Sequence, residues 1–241
     1  MLEQIRIVLV GTTHPGNIGA VARAMKTMAL DNLWLVAPKQ FPSAEATARA
    51  SGADDLLARA RICTDLSEAI EGCRLVVGAS ARLRTVQWPQ MAPRECARAL
   101  LSEATAGPVA ILFGRESSGL SNQELDRCSH LVHIPSNPEF SSLNLAAAVQ
   151  ILTYEIRIAS LCKDVAAVPP RSVASAEAME GFFGHLEQAL VDLRYAKPNQ
   201  SRKLQRRLRR LFFRAAPDTE ELNILRGILS AAQGRKLPRV P

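Results

Sequence analysis

The sequence predicts an α/β fold: a parallel sheet sandwiched by helices, followed by a small all-α C-terminal domain. Three observations predict it. Short β-branched apolar runs alternate with helical stretches over the first two thirds of the chain, polar and Gly-rich segments follow the runs, and the net positive charge falls entirely in the last third.

Taken in order, residues 5–10 (IRIVLV), 33–37 (LWLVA), 75–78 (LVVG), 109–113 (VAILF) and 131–134 (LVHI) have the length and composition of strands. Helical stretches lie between them at 16–28, 44–60, 66–71, 93–104 and 121–127. Such alternation predicts a parallel sheet covered on both faces. A last helix follows Ser141 and Ser142, with Leu145, Val149, Leu152, Ile156 and Ala159 on one stripe. The surrounding stretch, 143–161, is interrupted by Asn144, Gln150, Glu155 and Arg157, so it reads as a buried amphipathic helix and not a membrane span. The segment VAAVPPRSVAS, with its stiff Pro-Pro centre, reads as a linker. The expected organisation is therefore a sheet domain at 1–164, a linker at 165–175 and a basic helical domain at 176–241.

The chain has 241 residues, 47% hydrophobic and 22% charged, with a mean hydropathy of +0.01. These values describe a soluble globular protein and exclude a disordered or collagen-like chain. The opening MLEQIRIVLVG carries neither a basic leader nor a small-residue cleavage site, which leads us to expect a cytoplasmic protein. Cys63, Cys73, Cys96, Cys128 and Cys162 are odd in number and widely spaced, with no C-x-x-C pair. They read as small core residues, without a disulfide framework or a metal site.

The charge of +7 is unevenly placed. Residues 1–164 hold 16 basic and 16 acidic residues, whereas 165–241 hold 14 and 7. The excess centres on SRKLQRRLRRLFFR, where Arg202, Lys203, Arg206, Arg207, Arg209, Arg210 and Arg214 accompany Leu204, Leu208, Leu211 and Phe212 at helical spacing. One face is expected to pack and the other to attract a polyanion. Phe182, Phe183, Leu186, Leu190, Leu193, Leu222, Leu225, Ile228 and Leu229 read as partner helices that cover the packing face, which disfavours insertion into a membrane.

Ligands of open α/β sheets bind outside the carboxyl ends of the strands. Here GTTHPGNIG, GASARLR, FGRESSGLS and IPSNPEFSSLNL follow the first, third, fourth and fifth runs. The first has the G-x-x-x-x-G start of a P-loop, yet continues Asn17-Ile18 without the Lys-Ser/Thr that phosphate and Mg²⁺ require. It does not complete G-x-G-x-x-G either, and the chain contains no H-E-x-x-H and no G-x-S-x-G. His130 and His133 flank a strand and read as core or edge residues.

HPGNIGAVARAMKTMAL at 14–30, LFGRESSGLSNQEL at 112–125 and IPSNPEFSSLNLAAAVQILTYEI at 134–156 resemble, in order and spacing, the three motifs of the SPOUT RNA 2′-O-ribose methyltransferases. The SNPEFS segment, and the continuation KPNQSRKLQRRLRRLFFRAAPDTEELNILRGIL, are similar to the branch of that family acting on nucleotide 32 of the tRNA anticodon loop. The resemblance implies a trefoil knot at the C-terminal end of the sheet domain, S-adenosylmethionine as methyl donor, a ribose 2′-hydroxyl of cytidine or uridine as acceptor, and a homodimer. By resemblance the donor lies against Ala79, Ser80, Ala81, Gly114, Ile134, Ser141, Ser142 and Leu143. The acceptor is expected among Asn17, Arg23, Arg115, Glu116, Ser142 and Asn144, with Arg23 matching the family's motif-one arginine.

A sulfonium is already a good leaving group, so positioning and electrostatics are expected to dominate. A guanidinium is a poor base at a pKa above about 12, which favours Arg23 as a clamp on phosphate and developing alkoxide, oriented by Glu116. The basic helices are expected to hold tRNA phosphates, with no DNA and no membrane partner. Competing readings are the same transfer on another tRNA site or on ribosomal RNA, and a non-catalytic RNA-binding module.

Overall fold

The structure, a computed structural model, describes residues 1–81, 88–162, 173–197 and 202–234. The chain divides into two compact units, Met1–Pro170 and Arg171–Pro241.

The first unit contains, in chain order, β1 (Ile5–Val10), α1 (Pro15–Thr27), β2 (Leu33–Val36), α2 (Ala44–Ala50), α3 (Asp54–Arg59), β3 (Arg61–Cys63) and α4 (Leu66–Ile70). There follow β4 (Leu75–Ala79), β5 (Gln90–Met91), α5 (Pro93–Glu103), β6 (Val109–Phe113), α6 (Asn122–Leu125), β7 (His130–Val132) and α7 (Leu145–Leu161). The strands form one seven-stranded sheet in the order β3-β2-β1-β6-β4-β7-β5. Every pairing is parallel, with Ile7 of β1 beside Leu33 on one side and Ile111 on the other.

Burial on both faces explains why the central strands read as unbroken apolar runs. Ile5, Ile7 and Leu9 join the core cluster that includes Ile18, Val21 and Met25 of α1 and Val149 and Leu152 of α7, while the alternate residues Val8 and Val10 are buried as well. Pro15 starts α1 at a position where no intrahelical N–H is needed. Within α1, Gly19 lets α2 approach closely, because a Cβ there would lie 2.0 Å from the Ala46 carbonyl oxygen.

Two expectations about elements are corrected. The helix read across 44–60 is two helices, broken where Ser51 and Gly52 take φ of 46° and 87°. Lys26 fixes the break by donating to the Gly52 carbonyl at 2.8 Å and to Asp55 at 2.6 Å. The edge strands β3 and β5, of three and two residues, escape a reading of the sequence because so short a run shows no periodicity. Cys63, Cys73, Cys96 and Cys128 are buried as expected, and burial pushes the Cys96 thiol up to about 12; Cys162 is exposed at the end of α7.

The second unit contains α8 (Ala176–Asp192), α9 (Arg202–Ala215) and α10 (Thr219–Ala232). Its core is Met179, Phe182, Phe183 and Leu222, with Phe212, Phe213, Leu225 and Leu229 packed against it. Phe212 meets Phe182 edge-on at 4.7 Å, and Phe213 lies 5.4 Å from Phe183. The packing stripe of α9 is thus rotated from the expected one: Phe213 takes the inward position, whereas Leu211 is 46% exposed. Leu193 and Ile228, also read as covering residues, are exposed. The linker expected at 165–175 lies outside the described residues up to 172. Its last three residues are built into the second unit, where Val173 pairs with Asp218, the Ala174 N–H donates to Pro217, and Ser175 caps α8. Among the described residues, no helix is long and apolar enough to cross a membrane.

Candidate active site

Because β1, β6, β4 and β7 are neighbours in the sheet, the segments that leave their carboxyl ends converge. The segments after β6, β4 and β7 line a cleft of about 150 Å³, open to solvent, and the segment after β1 lies beside it. All eight residues expected at the donor, Ala79, Ser80, Ala81, Gly114, Ile134, Ser141, Ser142 and Leu143, line it. Residues 82–84 of the GASARLR segment lie outside the described residues.

The walls are shaped by small residues and backbone bonds. Arg115 and Gly119 close a tight hairpin after β6, with Arg115 N–H donating to Gly119 at 3.2 Å and the reverse bond at 2.8 Å. Gly114 lies under this turn: a Cβ there would sit 2.1 Å from the Gly119 carbonyl carbon, so no side chain fits. On the opposite wall the Ser80 N–H donates to Val132 at 3.1 Å, and the Ser80 carbonyl lies 3.1 Å from His133 Nδ1. Ser136 Oγ donates to the Ser141 carbonyl at 3.1 Å and folds the last segment back on itself.

Beside the cleft, Glu116 gathers the segment that follows β1. Its Oε2 accepts from the Thr13 N–H at 3.1 Å and the Thr13 hydroxyl at 2.8 Å, and its Oε1 from the His14 N–H at 3.2 Å and Asn17 Nδ2 at 2.9 Å. Asn17 Oδ1 in turn accepts from Asn144 Nδ2 at 3.1 Å, while Asn144 Oδ1 caps α7 through the Ala146 and Ala147 N–H groups. One hydrogen-bonded chain therefore joins the N-terminus of α7, the N-terminus of α1 and the turn after β6. Burial opposes ionisation of Glu116, but the hydrogen bonds from Asn17, from its own backbone and from Thr13 outweigh it and bring the pKa down to about 2.

Three of the expected acceptor residues, Asn17, Glu116 and Asn144, are thus in direct contact, and Ser142 lies two residues from Asn144 on the cleft wall. Arg115 is engaged structurally: its Nη1 bridges both carboxylate oxygens of Glu124 at 3.0 and 3.1 Å, and its guanidinium crosses Gly11, whose φ of 61° and close neighbour exclude a side chain. Within this chain the Glu116 carboxylate is engaged by Thr13, His14 and Asn17. Arg23 is exposed, six residues beyond Asn17 and about 9 Å further along α1. Sequence reasoning misses Thr13. Its signal is the Thr-Thr pair directly after the first strand, where a hydroxyl has no packing role.

In the second unit, Arg202, Lys203, Arg207 and Arg214 of α9 are exposed, and Arg206 and Arg210 are half-buried. Arg209 turns inward instead, stacking 4.4 Å from the centre of the Phe183 ring and forking onto Glu180, with Nη2 2.9 Å from Oε2.

Comparison with known proteins adds a lineage to this geometry. Residues 4–154 match the SpoU rRNA methylase family, and residues 177–239 match the TrmJ C-terminal domain of tRNA methyltransferases. The chain is 51% identical over 241 residues to the tRNA (cytidine/uridine-2′-O-)-methyltransferase TrmJ of Cronobacter sakazakii, covering 98% of each chain. It is 50% identical to the tRNA (cytidine/uridine/adenosine-2′-O-)-methyltransferase TrmJ of Pseudomonas aeruginosa, covering 97% of this chain and 95% of that one. The crystal structure of TrmJ from Z. mobilis ZM4 superposes with a TM-score of 0.79 at 36% identity, covering 94% of this chain and 97% of that one. Both units are matched in chain order by one lineage, and the chain belongs to the SpoU methylase family, in its TrmJ branch.

Proposed function

We propose that the protein is a tRNA 2′-O-methyltransferase that moves a methyl group from S-adenosylmethionine to the ribose 2′-hydroxyl of nucleotide 32, cytidine or uridine, in the anticodon loop. The observation that carries this reading is the convergence of the second and third motif segments on one cleft, with the first tied beside it by the Asn144–Asn17–Glu116 chain. Relatives named for the 2′-O-methylation of tRNA cytidine and uridine, half identical over nearly the whole chain, support it.

The donor fits the cleft chemically. Small side chains and backbone N–H and C=O groups at Ala79–Ala81, Gly114 and Ser141–Leu143 suit an adenine edge and an amino-acid tail. When bound, S-adenosylmethionine supplies an electrophilic methyl group. The chain's own residues then fix where the hydroxyl stands. Glu116, Asn17 and Asn144 hold the segment after β1 against α7, so their amide groups orient the ribose from one rigid edge. A guanidinium is a permanent cation, and the task of Arg23 is to stabilise the oxygen as negative charge develops, while an RNA phosphate oxygen accepts the hydroxyl proton.

Arg23 lies on an exposed part of α1, while Tyr154, Ile158 and Leu161 form an exposed apolar stripe on α7. Both features support a homodimer in which Arg23 of one subunit serves the cleft of the other. The insertion of β7 between β4 and β5, followed directly by α7, supports the trefoil knot that the SPOUT resemblance implies. In the second unit, Arg202, Lys203, Arg207 and Arg214 are the phosphate contacts. A tRNA substrate supports the cytoplasmic location expected from the sequence.

The test is incubation with S-adenosylmethionine and unmodified tRNA transcripts, followed by mass-spectrometric mapping of any ribose methyl. A methyl on the 2′-oxygen of nucleotide 32 is expected. A methyl elsewhere keeps the reaction and overturns the position, and no methyl on any transcript overturns the reading.

A further inference from the structure

We infer that Phe140 is a stacking platform for an unpaired base of the RNA loop, holding that base aside while its ribose, or its neighbour's, reaches the cleft. The inference rests on the reading of the chain as an RNA ribose methyltransferase and goes beyond it, because Phe140 belongs to neither the donor nor the acceptor set.

Phe140 is 80% exposed, the most exposed large apolar side chain among the described residues. The other described phenylalanines are buried or packed against a core. A single exposed apolar residue is ordinary on a protein surface, so its placement carries the argument. The turn that presents it is built: the Phe140 N–H donates to the Asn137 carbonyl at 3.0 Å, the Glu139 N–H donates to Asn137 Oδ1 at 3.1 Å, and Ser136 Oγ closes the loop on Ser141. The residues that follow at once, Ser141, Ser142 and Leu143, line the cleft. Phe140 therefore sits on the segment whose next residues form the cleft wall.

The chemistry selects a base and not a phosphate. The segment 135–142 has no cation, and Glu139, the preceding residue, carries a charge that repels an RNA backbone. A 2′-hydroxyl inside a stacked loop is not free to align with a methyl group, and pulling its nucleotide out breaks base stacking that a second π-face restores. A phenyl ring reads no hydrogen-bonding edge, so it accepts any base. That tolerance suits a lineage in which one relative is named for cytidine and uridine and another for adenosine as well.

The test uses the full chain with Phe140→Ala, Phe140→Leu, Phe140→Tyr and Phe140→Trp. Phe140→Ala is expected to lower kcat/KM on tRNA by between about fivefold and 150-fold. Phe140→Leu falls with it, and the Tyr and Trp variants restore turnover, while S-adenosylmethionine affinity and the sedimentation mass stay at the wild-type values. Phe140→Trp also reports directly. Its fluorescence above the wild-type background from the buried Trp34 and Trp88 is expected to be quenched by an anticodon stem-loop and not by a fully paired stem of equal length. Wild-type turnover in Phe140→Leu, equal quenching by both RNAs, or a changed sedimentation mass in Phe140→Ala overturns the platform. A wild-type chain that methylates no tRNA overturns the function instead, and the quenching comparison still decides the stacking.

Discussion

In the function proposed above, the cleft of the first unit and the basic helix of the second handle RNA by opposite means. Around the cleft, polar atoms meet one another at fixed distances: Glu116 accepts four hydrogen bonds, and Asn17 and Asn144 link their amides. On α9, guanidinium and ammonium groups stand in solvent with a field in place of a geometry. The difference follows from what each must do. In-line methyl transfer fails with a displacement of about 1 Å, whereas counterion release from phosphates depends on the number of charges and tolerates loose placement. A change in the cleft should therefore reach turnover first, and a change on α9 should reach affinity and its salt dependence first.

The strongest test of that division is Arg23→Ala. Turnover on tRNA should fall by up to about a thousandfold, the upper end of the scale of removing an oxyanion-hole donor, while calorimetric affinity for S-adenosylmethionine stays nearly intact. A loss of donor affinity equal to the loss of rate would assign Arg23 to the donor site.

Glu116→Gln should follow at roughly a hundredfold. The amide keeps one acceptor oxygen but turns a donor either toward the Thr13 N–H or toward the His14 N–H and Asn17 Nδ2, so the segment after β1 loosens and Asn17 moves with it. A pH signature belongs to the same carboxylate. Its pKa in the folded chain lies near 2, below the unfolded value of 4.5, so its stabilisation is complete above the unfolded pKa and is lost as pH falls through 4.5 toward 2. Thermal melts between pH 6 and 3 should show a smaller loss of Tm in Glu116→Gln than in the wild type.

This division also marks what the sequence discloses. Gly114, Ser141 and Ser142 are singled out in the sequence by their resemblance to the SPOUT motifs, and the strand order of the structure brings their segments together on the cleft wall. Partnerships are less legible. Glu116 is 99 residues from Asn17 and Asn144 is 127 from it, so no spacing rule relates them, and sequence reasoning pairs Glu116 with Arg23 in place of Thr13. The charge run on α9 discloses a basic face, but helical spacing places Leu204, Leu208, Leu211 and Phe212 on the inward stripe, whereas Phe213 packs inward beside Phe212 and Leu211 is exposed. Aromatic packing against α8 settles that rotation.

For the exposed cations, Arg202→Gln, Lys203→Gln, Arg207→Gln and Arg214→Gln combined should weaken tRNA binding about tenfold near physiological salt. Each phosphate deprived of its cation should also take about 0.7 to 0.9 off the slope of log affinity against log salt. Turnover at saturating tRNA should change little. A large fall in saturated turnover with an unchanged slope would break the comparison from the side of the second unit.

The smallest effect sharpens the comparison most, because it separates two arginines that sequence alone makes equivalent. Arg207 is exposed, while Arg209 forks onto Glu180 and covers the Phe183 ring at 4.4 Å, inside the unit's own packing. Arg209→Gln removes a charge-assisted pair and a cation–π interaction, a loss of about 1 to 3 kcal/mol of stability. Scanning calorimetry should therefore show a lower Tm for Arg209→Gln than for Arg207→Gln. The salt slope of tRNA binding should move in Arg207→Gln and stay at the wild-type value in Arg209→Gln, measured at a temperature where both are folded. Equal slopes in the two variants would mean that Arg209 leaves Glu180 when RNA arrives, and that α9 trades an internal pair for a phosphate.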